Sequence, residues 1–242
     1  MLPIRIGTSG YTYPQWKKVF YPEELSTSSY FNYYQTYFST VELNYTFYHV
    51  PRQSTVVKWY REASTGFVYS VKVPRAITHL QKLSSCEESL RSFLFLLSSL
   101  REKLGGLLFQ FPPSFKYSPE QLQKILRLKD LLQGYLPVLE FRHRSWFEAD
   151  LSPLFSAGFS VATVSAPSLP FVIPESTPHL YLRLHGRTAW YRSEYSTAEL
   201  EELARIITEQ ASRNKPVWIY FNNDLGGCAI RNALTLKNLL GV

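Results

Sequence analysis

Pro137-Val-Leu-Glu-Phe-Arg-His-Arg-Ser-Trp146 is an apolar run that passes directly into unlike charges and an indole. Val138, Leu139 and Phe141 predict a short buried strand, with the polar residues at its carboxyl end. Burying such groups costs free energy unless they meet partners or a ligand. The run therefore predicts a strand that ends at a polar site, and the same transition recurs along the chain.

Short apolar runs alternate with helical segments throughout the 242 residues. The predicted strands are 4–8, 40–44, 66–73, 105–111, 138–141, 159–164, 179–184 and 216–221. Continuous apolar strands are typical of parallel sheets that are buried on both faces. The alternation predicts an α/β fold, a single (β/α)8 TIM-type barrel over residues 1–242 in which the last strand pairs with the first. A doubly wound open sheet is the alternative, but no G-x-G-x-x-G follows a strand.

The composition favours anionic partners. The 26 Lys and Arg outnumber the 19 Asp and Glu, and the formal net charge is +7 at pH 7. Positive charge attracts phosphates and nucleic acid, so an anionic small molecule or nucleic acid is the predicted partner. Six aromatic residues are expected beside the basic site, where they could stack on bases or sugars: Tyr11, Trp16, Tyr48, Trp146, Tyr191 and Tyr195.

The sequence also indicates where the protein resides. Cys86 and Cys228 are too few for a disulfide framework or a four-thiolate zinc site. The first residues enter a strand at once, without the pattern of a signal peptide, and no run approaches the roughly 18 apolar residues of a membrane span. We therefore predict a cytoplasmic protein with no membrane segment.

Polar residues cluster at the predicted strand ends, which is where barrels of this kind carry their active sites. They include Glu42, Asn44, Lys72, Glu140, Arg142, His143, Arg183, His185, Asn222, Asn223 and Asp224. Any single one could instead belong to a structural ion pair. So many buried charges are costly for stability alone, so we expect most of them to line one cavity at the barrel mouth.

Seven groups of motifs, spread over nearly the whole chain, carry a family resemblance. They lie at 7–11, 40–44 with 46–48, 77–79, 108–113, 140–143 with 145–146, 181–186 and 221–224. As a set they resemble the YecE-like family, domain of unknown function 72. The resemblance implies a TIM-type barrel, distantly similar in fold to barrel endonucleases of the apurinic-site type, and no known reaction. Where the family often has an Asp after strand 6, this chain has Ser165.

The first functional hypothesis is an enzyme that acts on a phosphate-bearing or nucleic-acid substrate. Glu42 or Glu140 is the predicted general base, and His143 or His185 the general acid. Positive side chains would stabilise developing negative charge. The predicted substrate-binding residues are Asn44, Tyr48, Lys72, Arg142, Trp146, Arg183, Asn222, Asn223 and Gly227.

The Gly226-Gly227 turn before the last helix is the predicted phosphate site. A helix N-terminus offers unpaired N–H groups and partial positive charge, and phosphate commonly binds after strands 7 and 8 of such barrels. Arg183 is expected to offer a bidentate fork, and Asp224 to cap the turn. We therefore expect residues 222–227, with Arg183, to hold phosphate or sulfate.

Two other functions stay open. One is a non-catalytic binder of nucleic acid or nucleotide, and the other is a glycoside hydrolase that uses Glu42 and Glu140 at a carboxyl separation of roughly 5–10 Å. A divalent metal is a possible cofactor, with Glu140, His185 and Asp224 as its ligands. No pair of His residues at ligand spacing supports a tight site.

Overall fold

The computed structural model describes residues 4–242, so the first three residues of the predicted leaderless N-terminus lie outside the described residues. The strands are β1 (Ile4–Thr8), β2 (Thr40–Leu43), β3 (Val68–Lys72), β4 (Leu104–Gln110), β5 (Leu136–Glu140), β6 (Ser160–Val161), β7 (Thr163–Ser165), β8 (Leu180–Leu184) and β9 (Val217–Phe221). The helices are α1 (Tyr30–Tyr34), α2 (Tyr45–Tyr48), α3 (Gln53–Glu62), α4 (Glu87–Leu97), α5 (Pro119–Leu126), α6 (Ser152–Ser156), α7 (Thr197–Ser212) and α8 (Cys228–Leu240). The predicted α/β class with parallel strands is confirmed.

One sheet has the strand order β1-β9-β8-β7, with every neighbouring pair parallel. β1 pairs with β9 from Ile4 opposite Val217 to Thr8 opposite Phe221, which confirms the predicted pairing of the first and last strands. Leu184 of β8 is also opposite Phe221. Because the strands are parallel, their carboxyl ends meet at one edge, and the residues that follow them are brought together there.

The second sheet has the order β2-β3-β4-β5-β6. β4 pairs with β5 in parallel up to Gln110 opposite Glu140, so these two polar residues end neighbouring strands. The four residues of β5 before Glu140 are apolar, and Val138 and Leu139 are fully buried, as the opening sequence motif predicts.

The predicted sixth strand, 159–164, is divided in the structure. Its first half, β6, pairs with β5, and its second half, β7, pairs with β8. Within residues 4–242 the strand pairing therefore gives a four-stranded and a five-stranded sheet rather than one closed ring of eight strands. The reason is that this one run divides its backbone hydrogen bonds between two different neighbours. Closure of the barrel stays a prediction.

The described chain forms two compact units. Unit 1 contains the chain up to Glu42, Thr163–Ile173 and His179–Val242. Unit 2 contains Leu43–Ala162 and Pro174–Pro178. The single domain expected from the sequence therefore also stays a prediction.

Helical periodicity places the apolar side chains of the helices as expected. Leu90, Phe93, Leu94 and Leu97 of α4 are buried, with the spacing of one helix face. α5 begins with Pro119, and the side chain of Ser118 caps it by accepting a hydrogen bond from the Gln121 amide. Among residues 4–242, no helix combines the length and apolar character needed to cross a membrane.

A close approach between β1 and β2 in unit 1 explains the glycine at position 7. A Cβ on Gly7 would lie 2.2 Å from the carbonyl oxygen of Thr40. The hydroxyl of Tyr34 fills the remaining space and donates to that same oxygen at 3.1 Å. This packing brings the ends of β1 and β2 together, where Ser9 forms a parallel bridge with Glu42.

Candidate functional site

Alternation along β8 places three polar side chains on one face of the sheet in unit 1. Tyr181 and Arg183 are two residues apart, and His185 follows two residues later, so all three point to the same side. Each is essentially fully buried. The sequence predicted Arg183 and His185 at this strand end but did not assign a role to Tyr181.

Arg183 forms a buried ion pair with Glu42, which lies in β2. Arg183 Nη2 is 2.6 Å from Glu42 Oε1, and Nε is 3.0 Å from Oε2. Tyr181 donates to Oε2 at 2.8 Å, and the Ser9 hydroxyl donates to Oε1. Both carboxylate oxygens are therefore engaged, which suits an anion that orients its neighbours better than a general base.

His185 extends this network. Its Nε2 lies 3.3 Å from Arg183 Nη1, and its Nδ1 lies 3.0 Å from the amide nitrogen of Asn222. The rings of Trp190 and Tyr191 pack against the imidazole at 5.3 and 5.4 Å between centroids. The structure thus brings the predicted residues Glu42, Arg183, His185 and Asn222 together.

Asp224 lies beside this network with a strongly perturbed carboxyl. The pKa of Asp224 is raised to about 7: burial is the largest cause and the charge of Glu42 adds to it, whereas Tyr13 and Arg183 act in the opposite direction. Tyr13 donates its own proton to the carbonyl oxygen of Ser9. One oxygen of Asp224, Oδ1, is buried without a hydrogen-bond partner.

The groups on which the predicted phosphate loop depends already have partners within the protein, and the loop stays a prediction. The first amides of α8 already have acceptors: Gly227 N donates to Asp224 O, Cys228 N to Leu225 O and Ala229 N to Asn223 O. The side chain of Asp224 makes no capping hydrogen bond, and Arg183 is held by Glu42. The glycine at 227 serves packing instead, because a Cβ there would lie 2.5 Å from Val19 Cγ1.

The side chain of Asn223, a predicted substrate-binding residue, makes its contacts within the protein, and the binding role stays a prediction. Its side chain is fully buried and its amide donates to Ser193 O and to Asn232 Oδ1, both at 2.9 Å. Asn232 in turn joins α8 to the backbone of Tyr195. Substitution at Asn223 would therefore disturb this packing before it affected any ligand.

In unit 2, Glu140 ends β5 fully buried and pairs with Arg142 two residues later. The Arg142 side chain is 12% exposed, so it reaches the surface from this pair. The predicted neighbours Glu140 and Arg142 thus come together. As with Glu42, an ion-paired carboxylate is a weaker candidate for a general base than the sequence suggested.

A basic cluster surrounds His79 at the carboxyl end of β3. The pKa of His79 is lowered to about 4: burial is the largest cause, the positive charges of Lys72, Arg75 and Arg142 contribute, and Glu140 opposes them. We call Lys72, Arg75, His79 and Arg142 the His79 cluster. The sequence predicted Lys72 and Arg142 as ligand-binding residues but not the histidine between them.

Two predicted residues after β5 make contacts within the protein. Trp146 is fully buried, stacks on Phe141 at 3.9 Å and donates its indole N–H to Phe115 O at 2.8 Å. His143 caps the short turn Arg144–Trp146, because its Nδ1 accepts from the Ser145 amide. The predicted stacking of Trp146 on a ligand is therefore wrong, since no face of the ring is accessible.

The other predicted aromatic and amide positions differ in exposure. Tyr48 is 65% exposed and Tyr191 is 46% exposed, so both rings are available at the surface. Trp16 and Tyr195 are buried, and the ring of Tyr195 belongs to the core of unit 1. Asn44 is half-buried at the start of α2 in unit 2.

The structure gives no support to the predicted metal set of Glu140, His185 and Asp224. Among residues 4–242, no group of three or more His, Cys, Asp or Glu side chains is arranged to hold a metal ion.

A cavity of about 300 Å³ in unit 2 is lined by residues 129–130, 132–135, 137 and 157–159. It lies at the amino ends of β5 and β6, at the opposite edge of the sheet from the polar strand ends.

Sequence reasoning placed Ser9 and Arg75 at strand ends but assigned no role to Tyr13, Tyr181 or His79. A period-two reading of β8 could have found Tyr181, because it shares the face of Arg183. Tyr13 and His79 lie in irregular segments, where no periodicity indicates the direction of a side chain.

Similarity to known proteins agrees with these findings. The family described as "Protein of unknown function DUF72" matches residues 5–242. The UPF0759 protein YunF of Bacillus subtilis is 28% identical, over 92% of this chain and 90% of YunF. The UPF0759 protein YecE of Escherichia coli K12 is 28% identical, over 60% of this chain and 50% of YecE. The crystal structure of a DUF72 family protein from Thermotoga maritima is 32% identical, with a TM-score of 0.88 and 99% of both chains covered. The YecE-like resemblance is thereby confirmed, and the chain belongs to the DUF72 family.

Proposed function

We propose that the protein is an enzyme that acts on a phosphate-bearing substrate, with Asp224 as its general acid or base. The observation that carries the proposal is the pKa of Asp224, which burial raises to about 7. A proton-transfer group works best when its pKa is near the working pH. Strongly perturbed groups of this kind are frequent at functional sites.

The environment of Asp224 supports a division of roles between two carboxyl groups. Glu42 is held by Arg183, Tyr181 and Ser9, so both of its carboxylate oxygens are engaged within the protein. Asp224 has an oxygen without a hydrogen-bond partner, so it can exchange a proton. Acid–base enzymes often place two carboxyl groups in environments that separate their roles in this way.

Charge supports the choice of a phosphate-bearing substrate. The formal net charge is +7, and the positive side chain of Arg183 acts on Asp224 itself. Arg and Lys stabilise the negative charge that develops in phosphoryl transfer. Nucleic acid is also a phosphate-bearing substrate, so the test below includes oligonucleotides.

The two alternatives receive less support. A glycoside hydrolase needs one carboxylate that attacks and one acid that donates a proton. Glu42 and Glu140 are instead both fully buried and paired with Arg side chains. A non-catalytic binder would use the basic residues in the same way, but it gives no account of a carboxyl group poised near pH 7.

The test is a hydrolysis screen with p-nitrophenyl phosphate, bis(p-nitrophenyl) phosphate, nucleotides, single- and double-stranded oligonucleotides and p-nitrophenyl glycosides, with and without Mg²⁺, Mn²⁺ or Zn²⁺. We expect turnover of a phosphate ester, with an inflection of kcat/KM near pH 7. Asp224→Asn should lower the rate by about 10²–10⁴-fold and remove the inflection. Asp130→Asn, at an exposed carboxyl group, is the matched control and should behave as the natural sequence does.

Three outcomes would overturn the proposal. Turnover of glycosides alone would favour the glycosidase. Saturable binding of phosphate compounds or oligonucleotides without turnover would favour the non-catalytic binder. Full activity in Asp224→Asn would show that another group transfers the proton.

A further inference from the structure

We propose that the His79 cluster in unit 2 is a binding site for a dianionic phosphate monoester. The inference goes beyond the proposed function, because it assigns a ligand site that makes no use of Asp224 and requires no catalysis.

The chain fixes the lysine of the cluster by two contacts. Thr46 donates its hydroxyl to Lys72 O at 2.6 Å, which holds the end of β3 against α2. Lys72 Nζ lies 4.0 Å from the centre of the Phe47 ring, within the range of a cation–π interaction. These contacts therefore restrict the position of the ammonium group.

The histidine is fixed against the same ring. Phe47 meets His79 edge to face, with centroids 4.9 Å apart and an interplanar angle of 82°. His79 Nδ1 lies 3.0 Å from the buried hydroxyl of Thr78. Phe47 thus contacts Lys72 on one side and His79 on another, which fixes the positions of these two side chains relative to each other.

The backbone of this segment is unusual. Ala76–Leu80 is a π-helical turn, a conformation that is rare and frequent at functional sites. Lys82, Leu83 and Ser85 follow with φ of 47°, 63° and 51°, in the left-handed region that costs free energy for residues other than glycine. In this conformation the segment places His79 and Arg75 beside β3.

The net charge of the His79 cluster indicates which kind of phosphate compound it binds. Lys72, Arg75 and Arg142 carry three positive charges, and Glu140 is the carboxylate that acts on the same histidine. His79 has its pKa lowered to about 4 and is neutral at pH 7, so it serves as a hydrogen-bonding group. The excess of two positive charges matches a phosphate monoester, whose second pKa is about 6, better than a diester with one negative charge.

The experiment is calorimetric titration at low salt and pH 7.5 with phenyl phosphate, inorganic phosphate and dimethyl phosphate. We expect the two dianions to bind and dimethyl phosphate to bind at least about tenfold more weakly. Lys72→Met and Arg75→Gln should each weaken phenyl phosphate by about tenfold or more, as expected for loss of a charged hydrogen-bond partner. Arg75 is exposed, so Arg75→Gln should leave the fold intact, and circular dichroism verifies this.

Two controls test whether any loss of binding is specific to this cluster. Arg213→Gln removes an exposed positive charge in unit 1 and should leave phenyl phosphate binding unchanged. Lys58→Met removes an exposed positive charge in unit 2 and should also leave it unchanged. Equal binding of dimethyl phosphate, unchanged binding in Lys72→Met and Arg75→Gln, or no saturable binding of either dianion would overturn the inference.

Discussion

Arg183 Nη2 lies 2.6 Å from Glu42 Oε1, and neither side chain is more than 1% exposed. Removing two charges from water is costly, and the attraction between them repays that cost only when further hydrogen bonds satisfy the remaining groups. Tyr181 and Ser9 supply such bonds to the carboxylate, and His185 contacts the guanidinium. The pair therefore maintains the geometry of the sheet edge in unit 1 on which Asp224 and Asn222 depend.

Breaking this pair on one side should destabilise the protein strongly. Arg183→Met leaves Glu42 buried without its counter-ion, and the expected loss in the free energy of unfolding is about 3–5 kcal/mol. Arg213→Met removes an exposed ion pair with Glu209 and should cost about 1 kcal/mol or less. Urea denaturation of the variants measures the difference. Losses of similar size at the two sites would mean that the buried pair contributes no more than a surface pair.

The raised pKa of Asp224 predicts a pH-dependent stability. The folded state favours protonated Asp224 because its pKa is about 7, compared with 3.8 for an ordinary Asp. This contribution is fully present below about pH 4 and is lost as the pH rises to about 7, with a slope of up to about 1.4 kcal/mol per pH unit. Asp224→Asn removes the titration. The difference in unfolding free energy between the natural sequence and Asp224→Asn should therefore shift in favour of the variant between pH 4 and 7, and a constant difference would contradict the assigned pKa.

Strand ends could be predicted from the sequence because apolar runs show where strands stop. Glu42, Arg183, His185 and Asn222 follow or end such runs, and parallel pairing brings their side chains together. The pairing partners of a strand are not encoded in its apolar pattern. The run at 159–164 therefore looked like one strand, although its two halves bond to different neighbours.

Side-chain direction after a strand could not be predicted in the same way. Trp146 follows three charged or titratable residues, so it appeared to belong to the polar site, but the turn Arg144–Trp146 folds its ring onto Phe141. Asp224 precedes a glycine turn, as capping residues often do, yet its carboxyl lies toward Tyr13 and Glu42. Local sequence rules describe the backbone of such turns better than the tertiary contacts that decide where each side chain points.

The buried position of Trp146 predicts a stability defect without a binding defect. Trp146→Ala removes the stack on Phe141 and the hydrogen bond to Phe115, and the expected loss in the free energy of unfolding is about 3–5 kcal/mol. Trp146→Phe retains much of the stack and should cost less. The affinity of folded Trp146→Phe for phenyl phosphate should equal that of the natural sequence. A large loss of affinity for phenyl phosphate in Trp146→Phe, with unchanged stability, would indicate that the indole contacts the ligand.

His79 should titrate near pH 4, well below the 6.5 of an ordinary histidine. Burial is the largest cause, followed by Lys72, so Lys72→Met should raise the pKa of His79 but leave it below 6.5. Because the pKa is lowered in the folded state, neutral His79 stabilises the fold above about pH 6.5, and this contribution is lost as the pH falls toward 4. Nitrogen-15 NMR of the imidazole between pH 3.5 and 8 follows the titration.

Lys58→Met is the matched control for this titration, because Lys58 is an exposed lysine of α3 in the same unit. It should leave the pKa of His79 unchanged. Saturating phenyl phosphate should raise the pKa of His79 in the natural sequence, since a dianion favours the charged imidazolium. A titration above pH 6 in the free protein, or an equal shift in Lys58→Met and Lys72→Met, would mean that the positive charges of the cluster do not act on this histidine.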